Sequence, residues 1–322
     1  MLNNLDLLSL APYLNVQLLL DGLFIGATFA LAAYGLALVW GVMNVKNLAQ
    51  GEFVIMGGYI AYYFAKDSVV RIGIPFTDVL LVEFVKPGIH PLWTLPIAIP
   101  IMFGFGWVIY KLIIRRVIER DLFTSLLATF GLAIFLQQIM NLVFGPDVRT
   151  AQAGFHTRML NVLGGAVTVA DIRLISLIVA GFLAAGVILF MKNSRMGQAI
   201  RATAQDARAA RVMGIDTDRV YAFTYSLNAA ICGAAGVLVA MIWVIQPFYG
   251  VTYSVRSFVI VTAAGFGNIA GVIIAGLGIG VAEQYGSFVF GAQFQQATVV
   301  GLLVLALIVR QVQQGRKRQA VQ

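Results

Sequence analysis

The sequence predicts an all-α polytopic membrane protein with eight to nine transmembrane elements, one of them short or re-entrant, and two halves that are candidates for an inverted repeat. Three observations lead to that class. Of the 322 residues 60% are hydrophobic and 11% are charged, with a mean hydropathy of +0.88, more apolar surface than one soluble core can hide. Apolar stretches of about 20 residues recur, each long enough for a hydrocarbon core of ~30 Å, and the short alternating segments of a barrel are absent. Glycine is abundant, 33 residues against a usual ~7%, which suits helices packed backbone to backbone in lipid.

The first span is expected over 16–41 and carries Gly22-x-x-x-Gly26, a small-residue face, with Asp21 near its outer end. Polar Asn44, Lys46, Asn47, Gln50 and Glu52 then interrupt the apolar pattern before a second span over 53–65. Residues 66–91 mix charge, Pro75, Pro87 and an apolar run at 79–85, and read as an external excursion with a short surface helix. Spans three to five are expected over 91–114, 122–144 and 172–191, with a second outer loop at 145–170. A sixth span covers 220–245. The run after it reaches only about 14 residues before Gly265-Phe266-Gly267-Asn268. At 1.5 Å per residue it covers about 21 Å, too short for a full crossing. Residues 269–285, with Gly276-x-x-x-Gly280, and 298–309 complete the set, leaving a basic tail at 310–322.

Charge sets the orientation. Lys111, Arg115, Arg116 and Arg120, six Lys or Arg in 192–219, and Arg310, Arg316, Lys317 and Arg318 together hold fourteen of the 22 basic residues, whereas residues 1–15 hold none. Basic residues favour the cytoplasmic side, so the N-terminus is expected outside and the C-terminus inside. The net charge of +8 therefore reports membrane orientation rather than nucleic-acid binding.

Between the fifth and sixth spans lies GQAIRATAQDARAARVMGIDTDR, 197–219, proline-free to Met213 and rich in alanine, hence helical. Ile200, Thr203, Ala207, Ala210 and Gly214 share one face at three-four spacing. That face is small, and it is expected either to dock on a cytoplasmic partner or to lie on the membrane surface. Gly214 suits a left-handed helix stop, and Asp216 or Thr217 a cap for the next helix.

Catalytic chemistry finds no support. His90 and His156 lack a Ser, Cys or carboxylate at catalytic spacing, Cys232 lies alone in an apolar run, and no phosphate-binding loop occurs. No catalytic residue, metal site or cofactor is expected. Each half does carry a polar, Gly-containing break, NLAQGE at 47–52 and GFGN at 265–268. Paired breaks point to a transport site, since non-helical backbone in a membrane survives where it lines a cavity or is buried in protein. Candidate pathway residues are Asn47, Gln50, Gly51, Glu52, Gly265, Gly267 and Asn268. Glu52 and Glu283 leave open an ion-coupled carrier.

GLALVWGVMNVKNLAQGEFVIMGGY, RATAQDARAARVMGIDTDRVYAFTYSLNAAICGAAGVL and GFGNIAGVIIAGLGIGVAE resemble the inner-membrane permeases of branched-chain amino acid ABC importers, with their urea and short-chain amide relatives. The resemblance runs from about residue 16 to 310. The family's Asn-x-Ala-His-Gly-Glu is carried by Asn47, Ala49, Gly51 and Glu52, with Gln50 where His is common. Gln donates and accepts hydrogen bonds but does not titrate. The family's cytoplasmic loop maps onto Arg201, Ala202, Asp206, Ala209, Gly214, Ile215 and Asp216. What the resemblance implies is one permease domain over 1–322 with a coupling loop at 192–219 and a cytoplasmic tail at 310–322. It further implies two cytoplasmic ATP-binding subunits, a periplasmic solute-binding protein, and a second related permease or a second copy of this chain, all in a bacterial inner membrane. The solute is then a branched-chain or other hydrophobic amino acid, or alternatively urea or a short-chain amide.

Overall fold

A computed structural model describes residues 2–73, 80–118, 120–151, 153–154, 156–162, 165–265 and 268–319. A short helix, α1 (Leu2–Leu10), precedes α2 (Pro12–Met43). Pro12 opens α2, where its missing N–H costs nothing, and Asn44 closes it in the left-handed region (φ 52°). The chain continues without helix to α3 (Gln50–Ala65). Strands β1 (Ser68–Gly73) and β2 (Leu80–Lys86) then pair antiparallel. This hairpin replaces the expected surface helix. The segment is dense in β-branched Val and Ile, which fit a pleated ribbon better than a short isolated helix.

A 3-10 turn (Pro91–Thr94) leads into α4 (Leu95–Ile109), which passes through a π turn (Tyr110–Ile114) into the single turn α5 (Arg115–Val117). Asp121 caps α6 (Leu122–Phe144) by accepting the Thr124 N–H at 3.1 Å. The loop between α6 and the next helix contains another strand pair, β3 (Thr157–Val162) with β4 (Gly165–Ala170). After α7 (Asp171–Asn193) the polar segment forms two helices, α8 (Arg195–Gln205) and α9 (Ala207–Val212). Then follow α10 (Thr217–Ile242), α11 (Gly250–Ala264), α12 (Ile269–Phe290) and α13 (Gln295–Gln319). Residues 310–319 continue the last helix.

Among the described residues, six helical stretches are long and apolar enough to cross a membrane: Pro12–Met43, Pro91–Val117, Phe123–Phe144, Asp171–Asn193, Thr217–Ile242 and Gly271–Phe290. The helices α3 and α11, of 16 and 15 residues, are shorter, as is the apolar stretch Ala292–Ile308. The core is built from α2, α3, α10 and α11, flanked by α4 and α12. Two small-residue motifs account for one of its seams. A Cβ on Gly22 would lie 2.5 Å from Val281 Cα, and one on Gly26 2.8 Å from the Gly276 carbonyl, so α2 and α12 touch backbone to backbone. By contrast α6 and α7 each expose a row of large apolar side chains, including Phe130, Phe135, Ile178 and Phe182, as lipid-facing or partner-facing helices do.

Candidate functional site at the meeting of two half-length helices

Two breaks turn back into the bundle, 44–49 after α2 and 243–249 after α10, the second ending in a 3-10 turn (Pro247–Tyr249), and each feeds a short helix. The N-termini of those helices, α3 and α11, meet. A Cβ on Gly51 would run into the Gly250 carbonyl, and one on Gly250 into the Glu52 carboxyl. Only glycine lets the two backbones come this close.

Backbone groups freed by the first break are satisfied by neighbouring helices, as a segment buried in an apolar bundle requires. The Leu48 N–H donates to Thr129 Oγ1 of α6 at 3.3 Å, and Ala49 N–H to Asn47 Oδ1 at 3.1 Å. Ser254 of α11 closes the loop: its hydroxyl accepts the Gly51 N–H at 2.8 Å and donates to the Leu48 carbonyl at 2.9 Å. The second segment is held by a strap from the loop after α6. Arg149 N–H donates to the Ile245 carbonyl at 2.8 Å, and Ile245 N–H to the Arg149 carbonyl at 2.7 Å.

Asn47, Gln50 and Glu52 are fully buried. The Gln50 amide nitrogen reaches Ala32 O at 2.9 Å, Asn228 Oδ1 at 3.0 Å and Cys232 Sγ at 2.7 Å, tying the start of α3 to the interior of α2 and α10. Every one of those acceptors suits a permanent donor. Glu52 Oε1 accepts from Gln137 Nε2 of α6 at 2.9 Å, while Oε2 has no hydrogen-bond partner among the described residues. Glu52 thus joins a buried carboxyl with one unpaired oxygen to two adjoining helix N-termini, whose dipoles favour negative charge.

The GFGN break does not join this site. Gly265 stands at the far end of α11 with φ 100°, about 22 Å of helix from Gly250, and Asn268 is an exposed cap that accepts the Gly271 N–H at 3.0 Å. Gly267 lies outside the described residues. The partner of NLAQGE is instead the stretch leading to Gly250. Sequence reading passed over Gly250, Ser254, Gln137 and Asn228. The signal for the last three was their polarity inside apolar windows; Gly250 had none.

The candidate coupling residues lie together, away from the break. Asp206 divides the expected single helix, its Oδ1 accepting the N–H groups of Arg208 at 2.8 Å and Ala209 at 3.0 Å. Those bonds hold its carboxyl below the usual carboxylate range. Gly214 takes φ 84° and Asp216 caps α10 at Arg219 N–H, 3.2 Å. Arg201 reaches back to the Met191 carbonyl, Ala202 and Ile215 are half-buried, and Ala209 is exposed. The small face turns the other way from expectation. Ile200, Thr203 and Ala210 are buried against the chain itself, since α8 packs on α7, α10 and α2, and α9 on α8 and α10. What faces outward is apolar Val212 (87% exposed) and Met213 (80%). Beside them a cleft of about 560 Å³ is lined by Tyr110, Arg115, Arg211, Asp216 and Tyr221, with Asp218 accepting from Tyr110 Oη at 2.8 Å.

A further buried charge pair joins α11 to α12. Glu283 Oε1 accepts from Arg256 Nη2 at 2.5 Å, Arg256 Nε at 3.1 Å and Gln295 Nε2 at 2.8 Å.

Comparison with known proteins gives a consistent result. A family model described as branched-chain amino acid transport system / permease component matches residues 18–309. The chain is 30% identical over 299 residues to the high-affinity branched-chain amino acid transport system permease protein LivH of Escherichia coli K12, covering 91% of this chain and 93% of that one. It is 29% identical over 305 residues to the corresponding protein BraD of Pseudomonas aeruginosa, covering 92% and 94%. A probable branched-chain amino acid transport permease protein LivH of Methanocaldococcus jannaschii is 26% identical over 302 residues, covering 92% and 89%. No solved structure matches the chain.

Proposed function

The chain belongs to the family of branched-chain amino acid transport permease components, and on that premise we propose that it forms the membrane path of an ATP-driven importer of branched-chain or similar hydrophobic amino acids. The single observation that carries the reading is the meeting of the α3 and α11 N-termini around buried Glu52. Half-length helices entering from opposite long helices suit a site that alternates between the two membrane faces. An amino acid brings both charges such a site addresses: its carboxylate suits helix N-termini, and its ammonium suits Glu52.

The chain is read as one permease domain, multi-pass in a bacterial inner membrane. The six span-length stretches, with α3, α11 and Ala292–Ile308 as shorter elements, support a nine-element reading. The basic residues of 111–120 and 192–219, at the one end of the bundle where Arg115 pairs with Asp218, support an outside N-terminus and inside C-terminus. One of two ATP-binding subunits engages 192–219, with Val212, Met213 and Ala209 as the exposed contact surface. A periplasmic binding protein delivers solute, and a second permease subunit, related or identical, completes the path.

The test is uptake into vesicles reconstituted with the ATPase subunits, the second permease and the solute-binding protein. Leucine, isoleucine and valine should accumulate only with ATP and loaded binding protein. Accumulation of urea or an amide in their place would move the reading to that branch, and uptake driven by an ion gradient without ATP would replace it.

A further inference from the structure

The Arg256–Glu283 pair has no role in that reading, although the inference drawn from it rests on the reading. In the fold it is costly. Side-chain exposure is 11% for Arg256 and 1% for Glu283, and removing two charges from water loses energy that their attraction repays only in good geometry. The geometry is good. Arg256 presents Nε and Nη2 to the carboxylate, Gln295 of α13 adds a third donor, and the guanidinium lies 4.7 Å from the Phe29 ring centroid of α2. Even so, an apolar pair of similar volume would serve stability as well or better. Both carboxylate oxygens already accept hydrogen bonds.

A fork-shaped ion pair supplies what apolar packing lacks, a unique rotation. Arg256 follows Ser254 by two residues, so the two side chains leave α11 about 200° apart. One side of α11 grips Leu48 and Gly51; the opposite side is pinned by Glu283. We infer that Arg256 and Glu283 are positioning residues for transport: they set the rotation of α11, and with it the presentation of Gly250 and Ser254 to the first break. They also make α11, α12 and the start of α13 move as one body when the path opens.

The experiment uses the full importer in vesicles, reading assembly, binding-protein-stimulated ATP turnover, and uptake of whichever solute the unaltered complex carries. The apolar double variant Arg256→Met with Glu283→Leu should assemble at the unaltered level and keep ATP turnover within about twofold, while solute moved per ATP falls at least tenfold. Glu283→Gln, which strands the arginine, should assemble less well than the double variant. The exchanged pair, Arg256→Glu with Glu283→Arg, should restore a measurable part of the lost uptake. Normal uptake in the apolar double variant would overturn the inference, as the pair would then be packing alone. Failure of that variant to assemble would overturn it too, making the pair a folding element. Because solute per ATP is read against the unaltered complex, a different solute identity would refute the proposed substrate and leave this comparison intact.

Discussion

Gly51 of α3 and Gly250 of α11, 199 positions apart in the chain, stand with their backbones in contact, and Glu52 lies against the second of them. This contact joins two segments that each leave a long helix, re-enter the bundle and begin a short one. It makes the first break and the stretch before Gly250 counterparts across the molecule.

Adding side chains at this contact should therefore be expensive. Gly51→Ala and Gly250→Ala each force backbone apart and should cost about 1–3 kcal/mol by overpacking. Gly181→Ala on α7, where a Cβ meets nothing within 4 Å, should be neutral or slightly stabilising. Thermal unfolding of the detergent-solubilised chain separates the cases; equal melting temperatures for all three would contradict the contact.

At Glu52 charge and hydrogen bonding can be tested apart. Glu52→Gln keeps the shape and the bond with Gln137 and should leave assembly unchanged while coupled amino-acid uptake falls more than tenfold. Gln137→Leu strands a buried acceptor and should lose about 1–3 kcal/mol of stability. Normal uptake by Glu52→Gln would remove the carboxylate from the pathway.

Partner docking should depend on the outward face of 207–213. Val212→Asp and Met213→Asp place charge on an apolar contact and should abolish co-purification of the ATP-binding subunits, since a few desolvated residues dominate such surfaces. Ala207→Trp, at the inward-turning face, should instead reduce the yield of folded chain. Retained co-purification in both charged variants would place docking elsewhere.

The α9 cap gives a pH prediction with a definite sign. The Asp206 carboxyl is held below its ordinary value by the Ala209 and Arg208 amides, so its contribution is present above the unfolded value, about 3.9. It is lost as pH falls through the lower folded value. Exchange protection of those two amides should be constant from pH 8 to pH 5 once intrinsic rates are corrected. A loss near pH 6–7 would show that the cap is not what orders α9.

Orientation is open to a reporter. A fusion active only in the cytoplasm should give signal after residue 322 and none before residue 1. The reverse pattern would invert the nine-element reading.

Amphipathic and apolar periodicity made most of this molecule legible in advance. The span over 122–144 matches α6 residue for residue, and the Gly22 and Gly276 motifs marked a seam that proved to be one seam. The left-handed stop at Gly214 and the Asp216 cap followed from local chemistry alone, because helix ends depend on a few adjacent residues. Membrane class and the polar identity of Asn47, Gln50 and Glu52 belong to the sequence. Tertiary structure decided which break meets which, since a contact across 199 positions leaves no local periodicity and glycine carries no side chain to announce it. It also decided the facing of α8 and α9. Ile200, Thr203 and Ala210 line up at helical spacing whichever way they point, and only the packing of α8 on α2, α7 and α10 turned them inward. Burial is a property of neighbours, and neighbours distant in the chain are chosen by the fold as a whole.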